Sequence, residues 1–128
     1  MKQDIQNRAD IELLVRTFYE KALQDEQIGF IFTTVAQIDL TQHFPRLFDF
    51  WENILLTPNG YKHNVLKTHL DLHQKVPLKA VHFERWLFLF VATVDELFEG
   101  KVANNAKNKA LSIATVIQVK LHRPTTLL

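Results

Sequence analysis

No cysteine occurs among the 128 residues. Disulfides, thiolate zinc sites, iron–sulfur clusters and a cysteine nucleophile are excluded together. The composition suits a reducing compartment, and a cytoplasmic location is the expectation. Serine is nearly absent as well: Ser112 is the only one, and "KALSIATV" around it has no glycine elbow for a hydrolase nucleophile. Charge of one sign is missing too. Net charge is +1 with histidines neutral, so no broad basic field points to nucleic acid. The N-terminal "MKQDIQNRAD" has no apolar core of a signal peptide. The longest apolar run, "WLFLFVA" from Trp86 to Ala92, is far too short to cross a bilayer, so no membrane partner is expected. No repeat, linker or low-complexity tract interrupts the chain, which reads as one domain over 1–128 with 122–128 as a frayed tail.

What is abundant is aromatic bulk. Phenylalanine occurs 10 times, beside Trp51, Trp86, Tyr19 and Tyr61. Such bulk fills a core or lines a cavity for a large flat ligand. Helical spacing carries it. Ile11, Leu14, Val15, Phe18 and Ala22 predict a helix from Asp10 to Gln24, capped by Asn7 or Asp10. A further short turn of helix is expected around Ile31 and Phe32. A second helix runs from about Asp39 or Thr41 to Leu56. Its apolar face is Phe44, Leu47, Phe48, Trp51, Ile54 and Leu55; its polar face is Gln42, Arg46, Asp49 and Asn53. Pro45 falls near its first turns, where proline costs less. A third long helix starts near Pro77 and ends near Gly100, read as its C-cap. Its stripe is Val81, Phe83, Trp86, Leu87, Phe90, Val94, Leu97 and Phe98, with Phe88 and Leu89 left as apolar surface that hints at a weak dimer. A last helix runs from about Val102 to Leu121, with Ala106, Ala110, Ile113, Ile117 and Leu121 inward. "TTVAQID" is the one weak strand candidate and is read as loop. The class is all-α, with a long irregular stretch between Thr57 and Pro77 of the kind that serves function.

That stretch contains "LKTHLDLHQKVP", which places His69 and His73 four apart on one helix side with Leu66 and Leu70. A zinc site would need two or more further ligands at matching spacing, and the sequence offers none; no glutamate follows His69 as in the zincin pattern. A haem iron asks for less: one neutral imidazole, an apolar slot, and a few polar donors on the far side. Donor candidates are Tyr19, at the edge of the first helix's apolar face, and His43, a turn before Leu47 and Phe50. Trp86 opens the most apolar part of the third helix. Read alone, each has a plainer role: a core tyrosine with its hydroxyl reaching water, a helix-start histidine in solvent, and core packing. Asp95, Glu96 and Glu99 read as a solvated helix face rather than a hydrolytic pair.

In order along the chain, "TFYEKAL", "HFPRLFDFWENILL", "LKTHLDLHQKVPL", "HFERWLFLFVATVDELFEG" and "ALSIATVIQVKL" resemble the truncated hemoglobins of group III, over roughly Ile11 to Leu121. The resemblance implies a two-over-two helical globin holding haem b, iron protoporphyrin IX. It places the proximal iron ligand on His69 and leaves His73 as a neighbour in solvent. The family's distal tyrosine, histidine and tryptophan fall on Tyr19, His43 and Trp86. Leu47 falls on the apolar distal position, and Phe32, Phe50 and Leu66 join the cofactor's lining. "GYKHNVLKTH" replaces the expected small glycine-rich turn, and Lys62, His63 and Lys67 are candidates for the propionates on charge alone. His63, His82 and His122 are read as solvent histidines. The implied partners are the diatomic gases O2, NO and CO and a separate reductase, for a monomer or weak dimer. The implied activity is tight O2 binding for O2 and NO redox chemistry or peroxidase-like chemistry. A haem-based gas sensor or storage protein, and a haem-free globin-like interaction module, stand as alternatives.

Overall fold

A computed structural model describes residues 2–31, 40–56 and 79–121. The expectations placed on Phe32, the "TTVAQID" stretch, Tyr61, Lys62, His63, Leu66, Lys67, His69, His73, Pro77, His122 and the tail 122–128 lie outside the described residues. Four helices make up the rest: α1 (Arg8–Gln24), α2 (Leu40–Leu55), α3 (Ala80–Leu97) and α4 (Lys101–Leu121), with no strand among the described residues. α1 lies on α2, α3 lies on α4, and α1 also packs on α3. This is the two-over-two globin sandwich, all-α as the periodicity predicts.

α1 forms where the spacing placed it. The Asn7 side chain caps it by accepting from the Asp10 N–H at 3.0 Å. Ile11, Leu14, Val15, Phe18 and Ala22 are all buried, and Tyr19 joins them. At its far end the Asp25 carboxylate accepts from the Gln27 and Ile28 N–H groups and from Arg85 Nε of α3 at 2.7 Å. Burial works to raise the Asp25 carboxyl, but those donors outweigh it and hold it below its ordinary value.

α2 buries Phe48 and Trp51 and keeps Phe44, Leu47, Phe50, Ile54 and Leu55 half-buried against the core. Gln42, Arg46 and Asp49 are exposed as expected. Asn53 is not simply polar surface: its Oδ1 is buried and has no hydrogen-bond partner among the described residues. α2 starts at Leu40, between the two expected starts, so Pro45 is its sixth residue, inside the helix and near its first turns as expected.

α3 starts at Ala80, three residues later than expected from Pro77. Phe83, Phe90, Val94 and Phe98 are buried, and Trp86, Leu87 and Leu97 half-buried. Val81 is 49% exposed, against its assignment to the inward stripe. Leu89 is buried, against its assignment to the surface, while Phe88 is exposed. Thr93 is also fully buried, with its hydroxyl donating to the Leu89 carbonyl at 2.7 Å. His82 is half-buried and not a free solvent histidine. Its Nδ1 accepts from the Lys79 N–H at 3.0 Å and its ring meets Phe30 edge-on.

Gly100 is not the C-cap of α3. Phe98 closes that helix by donating to the Val94 carbonyl at 2.8 Å. Gly100, at φ 143°, instead sets up the start of α4, where a Cβ would fall 2.5 Å from the Asp4 carboxyl. Asp4 takes the N–H groups of Val102 and Ala103 at 2.9 and 2.8 Å and so caps α4 from the other end of the chain. α4 then buries Ala103, Ala106, Ala110, Ala114 and Ile117 under α3, with Ile113 half-buried.

Candidate functional site

The site is built where α1, α2 and α3 meet. Phe18 is its hub. Its ring meets Tyr19 edge-on at 5.2 Å, Trp86 at 5.9 Å and Phe90 at 5.5 Å between centroids. Phe90 lies between two indoles, stacked on Trp51 at 4.7 Å and on Trp86 at 5.5 Å. Edge-to-face and offset stacks of this kind fix ring positions beyond simple area burial.

Tyr19 sits on the buried face of α1, 7% exposed. Its ring meets His43 edge-on at 6.3 Å and Phe44 at 5.7 Å, both from α2. Burial pushes the Tyr19 phenol well above its ordinary value, because a phenolate would be left in an apolar surround. The group is therefore a neutral O–H at every physiological pH. His43 and Leu47 are half-buried, on the side of α2 that faces α1. Phe50 is half-buried and edge-on to Trp51 at 5.4 Å. Trp86 is half-buried on α3 and makes no side-chain hydrogen bond among the described residues.

Of the residues singled out from sequence, the structure therefore brings Tyr19 and His43 together directly. It links Trp86 to Tyr19 through Phe18, and sets Leu47 and Phe50 along the same helix as His43. Phe32, Leu66 and His69 lie outside the described residues. Two features of this wall went unread in the sequence. Phe18 and Phe90 organise it, although nothing separates them from other core phenylalanines in the periodicity. Arg16, on the exposed side of α1, lies over the rings of Phe44 and Phe48 at 5.0 and 5.2 Å. A cation one turn before a tyrosine carries no signal of that kind until the partner helix is placed.

The described wall suits a flat apolar group with a polar spot on one side. Phe44, Leu47, Phe50 and Trp86 are large apolar side chains that pack against the core yet stay only partly buried. Beside them stand one buried hydroxyl, one imidazole and one indole N–H. That donor set and lining are what a haem requires on its distal face. Among the described residues no three His, Asp or Glu side chains converge as a metal-holding group, and no helix is long and apolar enough to cross a membrane.

A sandwich of two helix pairs around an aromatic core suits the globin class, and comparison with known proteins makes it specific. The chain belongs to the bacterial-like globins, whose family model matches residues 3–120, and within them to the group III truncated hemoglobins. It is 30% identical over 126 residues to the group 3 truncated hemoglobin ctb of Campylobacter jejuni subsp. jejuni, covering 96% of this chain and 97% of that one. The crystal structure of the group III truncated hemoglobin from Campylobacter jejuni superposes with a TM-score of 0.81 at 30% identity, over 96% of this chain and 97% of that one.

Proposed function

We propose that the chain binds haem b with His69 as proximal iron ligand, and that Tyr19, His43 and Trp86 form the distal side of a pocket for a diatomic gas. Phe32, Leu47, Phe50 and Leu66 complete the lining. Family membership supports the cofactor. The observation that carries the distal assignment is the buried Tyr19 phenol, ringed by Phe18, Phe44 and His43. When bound, haem supplies an iron that takes up a gas molecule and exchanges electrons with it.

The chain's own residues decide how long the gas stays. Tyr19 stays protonated and donates to a ligand atom that gathers negative charge. Trp86 donates from α3. Each such bond is worth about 1 kcal/mol in a buried site, so the two together slow ligand release by roughly one to two orders of magnitude. Slow release makes a poor carrier and favours chemistry on the retained gas, such as nitric oxide dioxygenation or peroxide cleavage, with electrons from a separate reductase. Phe18, Phe44 and Phe90 keep water from the pocket's inner wall.

The test is the visible spectrum of the protein with added haem, reduced and under CO, for the wild type, His69→Ala and His73→Ala. A histidine-ligated spectrum in the wild type and His73→Ala but not in His69→Ala is the expected result. Absence of haem binding in all three would turn the reading to a globin-like interaction module. An unchanged O2 dissociation rate in Tyr19→Phe would remove the hydrogen-bond role.

A further inference from the structure

α2 is continuous from Leu40 to Leu55 but lacks one backbone hydrogen bond near its start. Pro45 is inside the helix and has no N–H, so the carbonyl of residue 41 lacks its intrahelical donor and is crowded by the ring. The turn that carries His43 and Phe44 is thus tied to the rest of α2 by fewer bonds than any later turn.

A side chain of α1 spans that missing bond. Phe44 precedes Pro45 and Phe48 follows it, and their rings stack at 5.5 Å and 9°. The Arg16 guanidinium lies 5.0 Å from the first ring centroid and 5.2 Å from the second. Among the described residues Arg16 has no carboxylate partner. Arg8, two turns earlier on α1, contrasts with it. It also reaches the Phe48 ring at 5.7 Å, but it is anchored to Asp49 at 2.7 Å and Glu52 at 2.9 Å, with Glu12 at 3.6 Å. The later part of α2 is therefore tied to α1 by ion pairs. Its start is tied by rings instead: the Arg16 cation lies over Phe44, and the Tyr19 ring meets His43 and Phe44 edge-on.

The geometry points to Arg16 as a positioning residue: it clips the first turn of α2 onto α1 across the hydrogen bond missing at Pro45, holds Phe44 against Tyr19, and by letting go opens this side of the pocket to an incoming gas molecule. The last clause rests on the haem-pocket reading above; the clip itself does not. A planar cation held by two aromatic faces, with no carboxylate partner among the described residues, is strong enough to keep the turn closed most of the time and weak enough to release it.

The decisive experiment tracks amide hydrogen exchange along α2 in the full-length protein, with and without haem, together with CO recombination after flash photolysis. The variants are Arg16→Met, Arg16→Lys, and Arg16→Met combined with Pro45→Ala. Arg16→Met is expected to speed exchange at Phe44 and Arg46 roughly three- to tenfold, while Trp51 and Glu52 keep wild-type rates. CO association from solvent should rise in step. Arg16→Lys keeps the charge and loses the plane, and falls between. Pro45→Ala restores the missing bond and brings the Met variant back toward wild type.

Unchanged first-turn exchange in Arg16→Met would overturn the clip. So would an acceleration spread evenly over α2, which is what general loss of packing produces. If Arg16→Met fails to fold, Phe44→Leu decides the same question by removing the ring and keeping the cation. A protein that takes up no haem would refute the pocket reading, while the exchange data still judge the clip. Haem uptake with faster exchange but unchanged CO association would overturn the gating role alone.

Discussion

The two helix pairs are held together by different materials. α3 and α4 meet over small side chains, Ala103, Ala106, Ala110 and Ala114, against Phe83, Phe90 and Val94. Small residues let the helix axes approach, the Thr93 hydroxyl folds back on its own helix, and one exposed ion pair, Lys107 Nζ to Asp95 Oδ1 at 2.7 Å, joins the two helices. α1 and α2 meet over large rings, two arginines and several half-buried apolar side chains. The first pair is a dense support. The second is a wall of rings whose α2 side chains Phe44, Leu47 and Phe50 stay only partly buried.

Four measurements would break or sharpen that contrast. The largest effect should come at the ring both halves share. Phe90→Ala removes the side chain stacked between Trp51 and Trp86, and should cost about 3–5 kcal/mol in urea unfolding. A loss under about 1 kcal/mol would mean the two halves do not rely on a common core. Next, Ala110→Leu forces bulk between α3 and α4 and should cost about 1–3 kcal/mol, whereas Leu47→Met in the looser wall should cost less. Equal losses in thermal melts would show the halves equally dense.

A smaller effect lies at Asp4. Burial raises its carboxyl, but the N–H groups of Val102, Ala103, Ile5 and Lys101 outweigh this and hold it below 3.8. A carboxyl depressed in the folded state adds stability that is complete above its unfolded value and disappears as pH falls through its folded value. Asp4→Asn should therefore cost about 1 kcal/mol at neutral pH and nothing in strong acid. A gap that persists in acid would contradict the cap. The smallest effect is expected at His82. Burial first, then Lys79, lowers it from 6.5, so its neutral ring is favoured and stability declines as pH falls below 6.5 toward the folded value. An NMR titration of His82 at or above 6.5 would contradict this.

The sequence made α1 legible almost residue by residue, because one face of that helix is buried and its 3.6 period shows directly. α3 was harder. It is covered by α1 on one side and α4 on another, so its buried arc is wide enough to take in Leu89 and Thr93, and the single stripe missed both. Val81 failed for the opposite reason: it matches the stripe, but periodicity does not show where along a helix the neighbours stop. Tyr19, His43 and Trp86 were legible only through likeness to a family, since each alone suits a plainer place. The roles of Asp4, Gly100 and Arg16 stayed hidden because each depends on a partner on another element. No local pattern encodes a contact spanning 98 residues.

That last contact also orders events during synthesis. Asp4 leaves the ribosome among the first residues, but the amides of Val102 and Ala103 that it caps are made 98 and 99 residues later. Asp4 must therefore wait, already outside, for the start of α4, and the nascent chain can close this clasp only after Ala103 has emerged.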